Sequence, residues 1–222
     1  MFSYYGSKSK IIGKYPEPTH NLVIEPFAGS AQYALRYYER KVVLVEKYDK
    51  IFRVWKYLQQ AQPKDVTGLP DVSASTRLEE IDGFSQLELE EKWLIGLCSN
   101  QGSASPKNVS RARNGWNRQK HKIASNLHKI RHWDIRLGSY ETIENTEATW
   151  FIDPPYQIQG KWYTKGCKNK DIDYLHLSEW CRSRDGQVIV CENKGADWLD
   201  FKPLVDFHGQ IHKRTEVIWT KP

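Results

Sequence analysis

The stretch TWFIDPPYQ, residues 149–157, places chemistry-bearing groups at the end of an apolar run. Trp150, Phe151 and Ile152 read as a buried strand. Pro154 and Pro155 stop it, because proline has no N–H for a sheet ladder. Asp153, two stiff peptide units and the ring of Tyr156 are thereby set at a strand's carboxyl end, the edge where open α/β sheets bind ligands. A carboxylate and a fixed carbonyl can together accept both N–H groups of an amino group conjugated to an aromatic base. They favour a more pyramidal nitrogen, with its lone pair directed at an electrophile. Asp153 supplies the carboxylate, Pro154 the carbonyl, Pro155 the stiffness and Tyr156 a face for stacking. Such orientation and electrostatics lower a barrier by on the order of 7–11 kcal/mol for well-aligned reactants. A strand-ending turn with a packed tyrosine would use the same residue types, so the surrounding sequence has to decide.

Two further stretches agree with the chemical reading. IEPFAGSAQYAL carries a small-residue loop, Ala28 to Ala31, between a strand and a helix, and small residues let backbone approach a ligand closely. The loop has neither the dinucleotide GxGxxG nor the P-loop pattern. Glu46 ends the next strand, where an acidic residue can accept hydrogen bonds from ribose hydroxyls.

The elements that must position these groups follow from apolar runs and periodicity. NLVIEPF (21–27) and KVVLVEKYD (41–49) read as strands. AGSAQYALRYYER reads as a turn and helix, and IFRVWKYLQQ as a helix with Ile51, Val54, Trp55 and Leu58 on one face. Strand and helix in alternation predict a parallel sheet with crossover helices. Residues 62–84 read as irregular connection. SQLELEEKWLIGLC predicts a helix with a capping box at Ser85 and Glu88. IASNLHKIRHW predicts another helix. IRLGSY, TWFID and GQVIVCEN predict strands, with a helix at YLHLSEWCRS between the last two. HGQIHKRTEVIWTKP predicts two final strands joined near Lys213 and Arg214. The expected organisation is a core of residues 1–61 and 132–222, interrupted by an insertion over 62–131.

The chain has 222 residues, a formal net charge of +6, nine tryptophans and twelve tyrosines. A basic, aromatic-rich balance points to a polyanionic partner. From Lys107 to Arg136 nine cations stand against the single acid Asp134, interleaved with Asn108, Asn114, Trp116, Asn117 and Gln119. Cations neutralise phosphates, and Arg, Asn and Gln can read base edges. A solvated basic surface would look similar; the near absence of acids and the amide side chains favour nucleic acid. No apolar run reaches membrane-spanning length, and MFSYYGSKSK lacks the apolar stretch of a signal peptide, which predicts a cytoplasmic protein. Cys98, Cys167, Cys181 and Cys191 form no zinc spacing and read as reduced thiols. His208 and His212 lack further ligands, so no metal is expected.

Together these stretches resemble the Dam-like DNA adenine-N6 methyltransferases over nearly the whole chain. FSYYGSKSKII resembles that family's N-terminal motif, VIEPFAGSAQYAL its methyl-donor loop and VVLVEKYD its ribose-binding strand. LGSYETI resembles the motif before the catalytic strand, FIDPPY the catalytic motif, and TEVIW the terminal hairpin strand. The resemblance implies an α/β, Rossmann-like class I methyltransferase sheet, mostly parallel with a C-terminal antiparallel hairpin, plus a small inserted, mainly helical target-recognition region. It implies S-adenosylmethionine as cofactor, and direct methyl transfer to the amino group of an adenine flipped out of duplex DNA. It implies that Tyr4, Lys8, Glu25, Phe27 and Gly29 line the donor pocket, that Glu46 holds the ribose, and that Tyr140 packs near the donor's adenine. Asp153 would serve donor and target alike, with Pro154, Pro155 and Tyr156 completing target binding. A monomer or weak dimer is expected.

The chain departs from the family pattern in places. Gly6-Ser7-Lys8 stands where Gly-Gly-Lys is common, and Ala31 where a third glycine is frequent. SRARNGWNRQ resembles the recognition hairpin only loosely. Asn114-Gly115 is a tight-turn signal, which predicts a basic hairpin tip with Arg111, Arg113, Asn114, Trp116, Asn117, Arg118 and Lys120 as DNA contacts. Cytosine-N4 enzymes usually carry Ser where this chain has Asp153, and RNA or protein-amide enzymes more often carry Asn-Pro-Pro-Tyr. A DNA-binding relative without catalysis remains an alternative, although every catalytic position is filled.

Overall fold

The computed structural model describes residues 1, 2, 4, 6–72, 84–99, 115–158, 167–208 and 213–221. Its seven strands are β1 (Leu22–Glu25), β2 (Lys41–Glu46), β3 (Asp134–Leu137), β4 (Ala148–Ile152), β5 (Gly186–Asn193), β6 (Lys202–His208) and β7 (Lys213–Lys221). They form one sheet in the order β3-β2-β1-β4-β5-β7-β6. The first five are parallel, and β7 runs antiparallel between β5 and β6. This is the sheet of the class I methyltransferase fold. Chain order reverses between β1 and β4, so the carboxyl ends of these two strands flank the switch-point crevice.

The helices are α1 (Gln32–Arg36), α2 (Asp49–Gln60), α3 (Pro63–Thr67), α4 (Leu89–Ser99), α5 (Trp116–Asn126) and α6 (Tyr174–Ser183). The period-2 alternation of strands sorts the core into two layers. Val23, Leu44, Phe151 and Ile189 face one layer, which also holds Trp55 of α2, Leu94 of α4 and Trp116 of α5. Their neighbours Ile24, Val45, Trp150, Ile152 and Val188 face the other, with Leu177, Trp180 and Cys181 of α6. With helices on both faces, all five residues of β4 are buried, as central parallel strands require.

Several elements differ from the sequence expectation. The connection after residue 62 is helical at once: Pro63 opens α3, and the Asp65 carboxylate accepts from the Gln62 amide at 2.7 Å. The box before α4 sits three residues later than Ser85 and Glu88, with the Glu88 amide donating to Glu91 Oε2 at 3.0 Å. No strand follows Asn114-Gly115. Gly115 has a right-handed backbone (φ −83°, ψ −14°) and leads directly into α5, which starts seven residues earlier than the expected Ile123. Arg111, Arg113 and Asn114 lie outside the described residues. Lys213 and Arg214 belong to β7 rather than to a joint. The strand before them is β6, missed because Pro203 sits at a register shift on the sheet edge, where proline is tolerated. No helix among the described residues is long and apolar enough to cross a membrane.

Candidate active site

The loop after β1 is shaped by backbone geometry. Gly29 has φ +45°, and a Cβ there would come within 3.1 Å of the Tyr4 ring, so close approach and left-handed backbone both require glycine. Ala31 has φ +45° as well. It fills a left-handed position at a cost of about 1–3 kcal/mol, which is the physical content of the missing third glycine. Glu46, at the end of β2, ties this loop down. Its Oε2 accepts from the Gly29 amide at 2.9 Å and its Oε1 from the Tyr48 amide at 2.8 Å. The Trp55 indole donates to the Gly29 carbonyl at 2.9 Å from beneath. Burial pushes the Glu46 carboxyl up, against the pull of those amides. Glu25 is buried too; its Oε1 accepts from the Ala34 amide at 2.6 Å, and burial raises its pKa to about 8.

The loop after β4 brings Asp153 into a dense polar cluster. Lys8 Nζ lies 2.8 Å from Asp153 Oδ1 and 3.9 Å from Glu216 Oε1. It donates to the Gly6 carbonyl at 3.0 Å and sits 4.6 Å above the centroid of the Tyr156 ring. Glu216, from β7, accepts from the Tyr15 hydroxyl at 2.6 Å and from the Tyr156 hydroxyl. Burial raises the Asp153 pKa, opposed by the Lys8 ammonium and the Tyr156 hydroxyl. The Glu216 carboxyl is raised for the same leading reason, loss of water.

Other side chains lock the loop in place. Tyr174 of α6 donates to the Pro155 carbonyl at 2.5 Å. Glu192, buried at the end of β5, accepts from the Gln157 amide at 2.6 Å and the Asn193 amide at 2.7 Å, with the Trp198 indole at 3.3 Å. Burial pushes Glu192 up to about 7. After β3, the Tyr140 ring stacks on Phe27 with centroids 5.4 Å apart, and its hydroxyl is 2.8 Å from His176 Nδ1.

These loops enclose a cleft of about 940 Å³, counting its open mouth. Tyr4, Lys8, Glu25, Phe27, Gly29, Glu46, Tyr140 and Asp153 all line it, although they come from five separate stretches of chain. Pro155 lines it as well, Pro154 is buried, and Tyr156 is half-buried beneath Lys8. Glu216, Tyr15 and Glu192 were not foreseen. The signal was a lone acid within an apolar strand, in TEVIW and in VIVCEN. A charge in such a position is buried and must be paired.

The residues expected to touch DNA divide. Trp116 is fully buried, and its indole donates to the Pro70 carbonyl at 2.8 Å. Lys120 is buried on the Leu69 carbonyl at 2.8 Å and pairs with Asp71 at 2.7 Å. Asn117 gives its side chain to both backbone groups of Val72. These three side chains, expected to touch DNA, are engaged in holding the 69–72 segment against α5. The helical period explains the split: positions 116, 120 and 123 face inward, while Arg118, His121, Lys122 and Ser125 face out. Among the described residues no cluster of His, Cys, Asp and Glu is placed to hold a metal ion, and Cys98, Cys181 and Cys191 are buried.

No protein-family model matches the chain, and no curated protein matches it in sequence. Solved structures align over most of its length at low similarity. The rRNA methyltransferase aviRa of Streptomyces viridochromogenes shares 12% identity with a TM-score of 0.41, covering 93% of this chain and 79% of its own. The Escherichia coli protein yhhF, named as a methyltransferase, shares 10% identity with a TM-score of 0.35, over 95% and 78%. A conserved protein of Streptococcus pyogenes shares 12% identity with a TM-score of 0.36, over 89% and 84%. These values are too low to carry an argument about substrate. The class of the molecule rests on its own sheet order and its own site.

Proposed function

We propose that the chain is an S-adenosylmethionine-dependent DNA methyltransferase acting on the N6 amino group of adenine. The observation that carries this reading is the position of Asp153. Its carboxylate enters the cleft at the switch point between β1 and β4, followed by two prolines whose loop is fixed from behind. The cleft fits a nucleoside-bearing donor: Gly29 leaves no room for a Cβ, Phe27 and Tyr140 offer stacked aromatic surface, and Glu46 ends β2 beside them. S-adenosylmethionine would supply an electrophilic methyl group there. Glu46 retains about one lone pair for a ribose hydroxyl beyond those used on the Gly29, Lys47 and Tyr48 amides, since a carboxylate can accept about four hydrogen bonds.

The acceptor side follows from the second loop. Asp153 and the Pro154 carbonyl accept the two N–H groups of the target amine and orient its lone pair. Burial makes Asp153 a stronger proton acceptor than a solvated aspartate. The Tyr156 ring holds the base by stacking. A base inside a duplex cannot reach this cleft, so the nucleotide leaves the stack first. Residues 1–61 and 132–222 act as the catalytic core and 62–131 as the recognition insertion, with Arg118 on the outer face of α5 toward phosphate. Arg111, Arg113 and Asn114 belong to the same proposed interface.

The test is methyl transfer from labelled S-adenosylmethionine into mixed-sequence duplex DNA, read by nucleoside mass spectrometry. N6-methyldeoxyadenosine is the expected product. Methylcytosine would overturn the target base, and absence of label in DNA with donor binding intact would overturn DNA as the substrate.

A further inference from the structure

Lys8 occupies both places that the target base needs. Its ammonium holds Asp153 Oδ1 at 2.8 Å, where the amino group would bind, and lies 4.6 Å over the Tyr156 ring, where the base would stack. The lysine is a cationic stand-in for the target amine. Binding therefore has to move it, and a buried ammonium cannot be left without an acceptor at acceptable cost. The lysine side chain is only 8% exposed.

Beyond the Gly6 carbonyl at 3.0 Å, a second carboxylate stands near. Glu216 Oε1 is 3.9 Å from Lys8 Nζ, and its side chain is 2% exposed. The Tyr15 and Tyr156 hydroxyls both donate to that Oε1 and hold the carboxylate in place, so a small shift of the ammonium would bring it to the lone pairs left on Oε2, as a charge-assisted hydrogen bond of ~2.7–2.9 Å.

We infer that Glu216 is a positioning residue for the target amine: it fixes the Tyr156 hydroxyl and receives the Lys8 ammonium when Asp153 takes up the amino group. This rests on the methyl-transfer reading above, in which Asp153 and Tyr156 receive the base. Before binding, Lys8 satisfies Asp153. After it, the substrate N–H groups satisfy Asp153 and Lys8 satisfies Glu216. No carboxylate is left unpaired in either state, and no bond to carbon is made or broken by the exchange. The strand β7 thus takes part in target binding through a residue that touches no substrate.

The test uses isosteric changes in the full chain. Lys8→Met and Glu216→Gln form a double-mutant cycle, read by denaturant unfolding, in the natural background and again with Asp153→Asn. Glutamine keeps an oxygen for the two tyrosines, so a merely structural role for Glu216 would not change the coupling. With Asp153 neutralised, Lys8 should turn to Glu216, and their coupling should rise about tenfold as a ratio of unfolding constants. A coupling equal in both backgrounds would overturn the hand-over. In turnover, Glu216→Gln should lower kcat about tenfold with donor Kd changed less than about twofold, and should add nothing once Lys8→Met is present. Independent, multiplying losses would overturn it. If the natural chain methylates no DNA, the functional reading fails, while the unfolding cycle still reports on Lys8 and Glu216.

Discussion

At the carboxyl edge of the sheet, Glu25, Glu192 and Glu216 are buried with Asp153 among them, each held by named donors. On α5 the charges divide instead: Lys120 turns inward to Asp71, while Arg118, His121 and Lys122 face outward. A strand end delivers its charged residue to one place, because register and alternation leave no choice of face. A helix carries a run of cations around its whole circumference, so their number in sequence overstates the surface charge. The first region is organised for chemistry in a small volume, and the second for packing on one side and water on the other.

Four variants sharpen this contrast. Trp116→Ala should cost about 3–5 kcal/mol of stability by denaturant unfolding, with nucleic-acid affinity of the folded protein unchanged. Full stability with lost affinity would return Trp116 to the interface. Asp153→Ala should reduce methyl transfer by about 10²–10³-fold or more while the chain stays folded; activity within a few-fold of the natural chain would remove the carboxylate from the acceptor role.

The third concerns pH. Glu25 rises from 4.5 to about 8 on folding, chiefly through burial. The folded state therefore holds a proton that the unfolded state releases above pH 4.5. Its contribution to stability should be greatest below that and fall as pH rises toward 8, by on the order of 5 kcal/mol. Glu25→Gln should flatten the slope; an unaltered slope would place the titration elsewhere. The smallest effect is expected for Arg118→Ala with Lys122→Ala, which should weaken DNA binding and reduce the salt slope by about 2. An unchanged slope would move the DNA face away from α5.

The readability of this chain follows the physics of each segment. β2, β5 and α6 were plain because an apolar run of six to eight residues, or a 3.6-residue stripe, admits one reading. α3 hid because five residues carry no period, and α5 was shortened because Asn114-Gly115 imitates a hairpin turn. In the cleft, Glu25, Phe27, Gly29, Glu46, Tyr140 and Asp153 come together because each lies at or just after the carboxyl end of a parallel strand, whereas Tyr4 and Lys8 reach it from the segment before β1, which no local pattern encodes. Glu216 was not legible as their neighbour: its partner Lys8 is more than two hundred residues away, and no local pattern encodes an antiparallel return between β5 and β6.

The location of Glu216 on β7 has a consequence for synthesis. β7 inserts between β5 and β6, and Glu216 pairs in register with Asn193 beside the loop after β4. During translation Lys8 and Asp153 emerge long before their second carboxylate. Until residue 216 has left the ribosome, the Lys8 ammonium lacks Glu216 nearby, and the Tyr15 and Tyr156 hydroxyls lack their shared acceptor. A nascent chain can therefore assemble the five parallel strands early, but it acquires a finished acceptor site only as its last strand zips into place.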